Sequence, residues 1–194
     1  MSEKVNSLLE KIKKLETELE SEIHEQANRF KFKVEGKAVI FDEAVVSAHK
    51  KLRVNILRWL GSSLLRNVLS APFIYAMIIP IAFMDLTVTI YQHICFRLYR
   101  IPRVERSKYI VMDRHQLSYL NAIEKLNCLY CGYGNGVIGY AREIFARTEQ
   151  YWCPIKHARK ALGTHRHYSK FLGFGDAEDF ETRILKFREA MSDK

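Results

Sequence analysis

Hydrophobic and polar positions alternate along this chain with more than one period, and each period predicts a different element. Residues 3–27 carry Val5, Leu8, Ile12, Leu15 and Leu19 at spacings of three and four among Lys and Glu. That is the pattern of a surface helix with a short heptad seam. The seam lapses at Glu22; the first expectation is packing on the rest of the chain, the second is a homo-oligomer through residues 5–19. In RFKFKVEGKAVIF, Phe30, Phe32 and Val34 alternate with basic residues before Glu35-Gly36, which predicts a small β-hairpin. Asp42 then offers an N-cap for DEAVVSAHKKLRVNILRWL, read as a helix with Val45, Ala48, Leu52, Ile56, Trp59 and Leu60 on one face. Lys50, Lys51, Arg53 and Arg58 lie largely off that face, which suits a lipid interface as well as a domain core.

The next stretch, NVLSAPFIYAMIIPIAFMDLTVTIYQHICF, is thirty residues long with Asp85 as its single formal charge. A membrane span needs roughly 20 apolar residues. Basic residues stand at both ends, Arg58 and Arg66 before it and Arg97, Arg100, Arg103 and Arg106 after it. The positive-inside rule then puts both ends in the cytosol. Pro80 near the middle removes a helix hydrogen bond. Two arms of about 13 and 16 residues reach roughly 20–24 Å, short of the roughly 30 Å hydrocarbon core. The expectation is a helix-break-helix that enters the cytoplasmic leaflet and returns. A kinked transmembrane helix is the alternative, and an apolar core hairpin a third.

Beyond Pro102 the 3.6 period returns. SKYIVMDRHQLSYLNAIEKLN reads as a helix, ended by the glycine-rich CLYCGYGNG, read as a loop. VIGYAREIFARTEQYW is the following helix, interrupted at Cys153-Pro154. Pro154 would open a third helix, PIKHARKAL, with Cys153 at its N-cap. Asp176 would cap a last one, DAEDFETRILKFREAM.

Composition narrows the setting. Of 194 residues 48% are hydrophobic and four are proline, which argues against wholesale disorder. Four cysteines, two of them as C-x-x-C, do not make a secreted disulfide framework, and the charged N-terminus lacks a signal peptide's apolar run. The net charge of +9 is uneven: five Lys or Arg and no acid lie between Ala44 and Met84, and again between Gln150 and Gly175. Basic blocks around an apolar stretch point to anionic lipid headgroups as the partner rather than nucleic acid.

Cys128, Cys131, Cys153 and His157 supply the candidate chemistry. C-x2-C with C-x3-H presents three thiolates and an imidazole, a set that suits tetrahedral zinc and also holds iron. CLYCGY resembles the first cysteine knuckle of rubredoxin over six residues; CPIKH departs from the second knuckle, so neither that fold nor electron transfer is implied. One ion can join the four ligands only if the glycine segment folds back along the following helix. Alternatively, antiparallel pairing of the flanking helices would gather Asp113, His115, Glu149, Cys153 and His157, a thiol-dependent or metal-assisted enzyme built on Cys153 with His157 or His115. Trp152-Cys153-Pro154 also resembles a fragment of thioredoxin-type sites, without a C-x-x-C partner. No Walker loop, dinucleotide fingerprint or H-E-x-x-H motif is present.

The expected protein is mainly α, attached to the cytoplasmic face of a membrane. Residues 1–28 form an amphipathic helix, 29–66 a β-hairpin and basic interfacial helix, 67–97 the apolar segment, and 98–194 a helical domain built around the Cys-rich loop. Trp59, Arg58, Arg66, Arg97 and Arg100 are its expected membrane-interface residues. Its expected role is binding or scaffolding through the Cys3His metal.

Overall fold

The computed structural model describes residues 3–56, 58, 61 and 65–191. The chain divides into two compact units, residues 1–62 with 113–126, and residues 63–112 with 127–194. The chain is mainly helical with a two-stranded hairpin near its N-terminus.

In the first unit, α1 (Glu3–Arg29) leads into β1 (Phe32–Glu35) and β2 (Ala38–Phe41), paired antiparallel with Phe32 opposite Phe41. Gly36 takes the left-handed conformation (φ 61°) that this tight turn demands. Gln116 ties residues 113–126 to the hairpin: its side-chain oxygen accepts from Val39 N–H at 2.6 Å and its amide donates to Lys37 C=O at 2.8 Å. Phe41, His49 and Tyr119 stack edge to face behind it. The following helix is shorter than the pattern predicts. α2 (Glu43–Leu52) stops where Arg53 turns extended, with no glycine or proline there to announce it. Trp59 and Leu60 lie outside the described residues.

The second unit rests on two long helices. α3 (Leu65–Ala76) and α4 (Ile78–Tyr91) run on through a π-helical turn, Gln92–Phe96. Between them Met77 keeps right-handed helical angles (φ −62°, ψ −13°), and Ile81 N–H still reaches Met77 C=O at 3.2 Å. The disturbance sits one turn before Pro80, where the proline ring meets the backbone of the preceding turn. A chain cannot reverse through one residue with helical angles, so the expected re-entrant hairpin is corrected to one kinked helix. Leu65–Phe96 has 32 residues, roughly 48 Å at 1.5 Å per residue.

This helix ends without the usual glycine. Arg100 adopts φ 55°, and Ile101 N–H returns to Phe96 C=O at 2.8 Å, the closing bond of a Schellman motif. The motif sends Ile101 back into the core beside Phe96. Residues 107–112, predicted as the start of a helix, instead belong to a strap over 101–112 that holds only a short 3-10 turn at Arg106–Lys108. The true helix start is Asn121, whose side-chain oxygen accepts from Ile123 and Glu124 N–H at 3.0 Å each, while Glu124 accepts from Asn121 N–H at 2.8 Å. That is a capping box.

From there α5 (Ala122–Trp152) runs unbroken for 31 residues, straight through CLYCGYGNG. The expectation of a loop fails because packing overrides the roughly 1 kcal/mol each glycine costs a helix. Gly132, Gly134 and Gly136 are all buried. α3–α4 and α5 run parallel: Tyr75 bonds Asn127, Gln92 bonds Tyr140, and Tyr91 bonds Thr148. The strap passes the other way between them. The core is Val88, Phe96, Ile101, Val104, Tyr140, Ala141 and Ile144.

Past α5 the expected third helix does not form. Ile155 pairs with Leu172 in a short parallel bridge, with Leu172 N–H donating to Pro154 C=O and Lys156 N–H to Leu172 C=O, both at 2.8 Å. Bridging buries Pro154 and Leu172, whereas a short basic helix would bury little. The last helix, α6 (Phe180–Met191), begins four residues beyond Asp176, which instead pairs with Arg183 at 2.8 Å.

Candidate functional site

The continuous α5 decides the fate of the four proposed ligands. Cys128 and Cys131 sit in its first half, and Cys153 follows its last residue. Cys131 and Cys153 are therefore roughly 33 Å apart along the helix, too far for one ion. His157 is exposed and lies against Tyr168, with ring centroids 6.0 Å apart. The structure does not bring the four expected ligands together, since the loop their approach needed is helix. Among the described residues no three His, Cys, Asp or Glu side chains are grouped to hold a metal ion.

The residues of the five-residue alternative are divided between the two units. Asp113 and His115 belong to the first unit, Glu149, Cys153 and His157 to the second. Glu149 holds His165, at 2.8 Å, rather than His157. A clasp missed from sequence emerges here. Glu143, 7% exposed at its side chain, accepts from Arg147 at 3.0 Å, from Arg166 at 2.5 Å and from His167 at 3.2 Å. Burial alone would raise the Glu143 carboxyl, but the hydrogen bonds from Arg166, Arg147 and His167 outweigh it and hold it below the usual range. Burial lowers His167, only partly offset by Glu143, so its imidazole is neutral near pH 7. Glu143 and Glu149 thus dock His165, Arg166 and His167 onto α5.

A different surface stands out: the outer side of α3–α4. Ile81, Asp85, Val88, Gln92 and Phe96 recur every three to four residues and point inward, partly or fully buried. Asp85 forms a two-pronged pair with Arg106 of the strap, Nε to Oδ1 at 3.0 Å and Nη2 to Oδ2 at 2.6 Å, and accepts from Tyr133 Oη at 2.8 Å. Gln92 clamps the strap as a backbone would, accepting from Val104 N–H at 2.9 Å and donating to Val104 C=O at 3.3 Å. These residues, which dilute the apolar signal when read in sequence, are the ones turned away from solvent.

The opposite face carries Leu65, Leu69, Ile79, Phe83, Leu86, Ile90 and Ile94, all exposed. Phe83 keeps 67% of its surface open and Ile79 71%. Only 11% of the most apolar 18-residue stretch of this helix is buried. The polar groups scattered among them satisfy themselves locally: Ser70 donates to Asn67 C=O at 3.2 Å, Thr87 to Met84 C=O at 3.0 Å, and His93 Nδ1 meets Thr89 C=O at 2.7 Å. Soluble monomers rarely leave an apolar strip of this length uncovered. Of the expected interface residues, Arg66, Arg97 and Arg100 are exposed at the ends of the strip, Arg58 is exposed in the first unit, and Trp59 lies outside the described residues.

No family model, curated protein or solved structure matches this chain.

Proposed function

We propose that this protein is a membrane-associated scaffold or adaptor, held at the cytoplasmic leaflet by the outer face of α3–α4. The observation that carries the reading is an inverted polarity: the helix turns its acid and amide inward and its Leu, Ile and Phe outward. Side-chain hydroxyls bonded to their own helix backbone suit a medium without water. Arg66, Arg97 and Arg100 at the ends of the strip fit anionic headgroups.

The helix is long and apolar enough to cross a bilayer. The strap argues for lying along the surface instead. Arg103, Glu105 and Lys108 are exposed beside the second half of the helix. A full span would draw them toward hydrocarbon at roughly 2.5–3.5 kcal/mol for each Arg or Lys. An interfacial helix keeps them wet while its apolar side enters the acyl chains. The metal centre of the sequence-based expectation does not enter this reading, because its four ligands are held apart.

Flotation of the full chain with vesicles tests it. Vesicles rich in phosphatidylserine should carry the protein upward, and neutral phosphatidylcholine vesicles less so. Phe83→Glu and Ile90→Glu should each weaken binding about tenfold or more, since burying such a side chain contributes about 1.5–3 kcal/mol. A folded protein that stays at the bottom of the gradient with either vesicle would refute the reading.

A further inference from the structure

The N-terminal helix carries a second uncovered apolar strip, and its chemistry differs from that of α3–α4. The seam read from sequence as ending at Glu22 continues in the structure. α1 is helical to Arg29, so Ile23, four residues beyond Leu19, extends the stripe of Leu15 and Leu19. Leu15, Leu19 and Ile23 are 63%, 61% and 55% exposed. The expected packing of this helix on the rest of its own chain is therefore absent at those positions. From Leu15 to Arg29 the large apolar residues keep to one narrow stripe, the width of a coiled-coil seam rather than of a face that covers a domain core or enters lipid.

Charge selects the occupant. Between Glu3 and Arg29 there are seven acids and five Lys or Arg, which opposes an anionic membrane. The charges are also segregated. Lys11, Lys13 and Lys14 lie near the middle, and Glu16, Glu18, Glu20, Glu22 and Glu25 follow with no Lys or Arg among them. In a parallel pair the glutamate blocks would lie side by side. In an antiparallel pair centred near Leu15, Lys11 and Lys13 meet the partner's Glu20 and the partner's Glu18. The same register sets Leu8 against the partner's Ile23 and Ile12 against the partner's Leu19.

We infer that α1 pairs antiparallel with α1 of a second copy of this chain. Opposed charge blocks fix the direction and the leucine–isoleucine seam supplies the adhesion. The pairing uses a helix that takes no part in the proposed lipid contact, so the two readings stand or fall separately.

Full-length protein in mild detergent, sized by light scattering, is expected to be a dimer. Leu15→Asp with Leu19→Asp is expected to halve the mass while circular dichroism stays that of a folded helical chain. The charge-exchanged chain, Lys11→Glu, Lys13→Glu, Glu18→Lys and Glu20→Lys together, should pair with itself. Mixed with differently tagged wild type, it should form mixed dimers about tenfold below the statistical share, an exclusion that fades in high salt. A monomeric wild type, or a dimer that survives Leu15→Asp and Leu19→Asp, would overturn the inference. Free mixing with wild type at low salt would overturn the antiparallel direction.

Discussion

Gly136 sits where the strap crosses α5. A Cβ built there would lie 2.7 Å from Ile110 Cα and 2.8 Å from Tyr109 O, both backbone atoms that cannot step aside without moving the strap. Gly134, two residues earlier, would place its Cβ 3.5 Å from the flexible end of Ile81. The two positions separate packing from helix propensity. Gly134→Ala is expected to leave stability unchanged or raise it by up to about 1 kcal/mol. Gly136→Ala is expected to lower it by about 1–3 kcal/mol through overpacking, read from thermal or urea unfolding. The glycines of CLYCGYGNG were visible in sequence; their purpose was not, because glycine looks the same whether it makes a turn or a close contact. Cys128 and Cys131 were drawn into a metal reading by that ambiguity. Asn121 and Glu124 were a legible capping box, overshadowed by the apolar spacing of residues 110–126.

Among the elements, those with strong local pattern follow the sequence closely. The alternation around Glu35-Gly36 gives the hairpin, and the three–four spacing gives α1. The strap and the Ile155–Leu172 bridge depend on partners far away in sequence, and no window of a dozen residues announces them. The same holds for the clasp on α5, where Glu143 meets residues more than twenty positions on. The clasp should respond to acid. His167 has a folded-state value below its ordinary 6.5, so its contribution is complete above that pH and is lost as pH falls through the folded value. Glu143 is likewise depressed below 4.5, so its contribution is complete above that and is lost at still lower pH. Both signs agree: acid loosens the docked tract. Amide exchange at Lys156 and Leu172 is expected to quicken, relative to the core of α5, as pH falls below about 6.5, after correction for intrinsic rates. His167→Gln should remove the upper step, and exchange protection independent of pH between 7 and 5 would contradict this account.

At the scale of the whole molecule, the proposed lipid contact and the polar clamps on the strap belong to opposite sides of one helix. Asp85 and Gln92 hold the strap against the inner side of a helix whose outer side is left apolar. The apolar length of residues 67–96 was legible in sequence, as were the basic residues at its ends. The direction in which its polar residues face was not, since the helical phase of Asp85 has meaning only once Arg106 and Tyr133 are placed. Nitroxide labels read the consequence directly, on a cysteine-replaced chain bound to anionic vesicles, at Phe83, Leu86, Ile90 and Ile94 on the outer face and at Glu105 and Lys108 on the strap. The four outer positions should be relaxed preferentially by oxygen, which concentrates in acyl chains, and the two strap positions by a water-soluble nickel chelate. Outer-face labels as open to the chelate with vesicles as without them would show that lipid does not cover α3–α4.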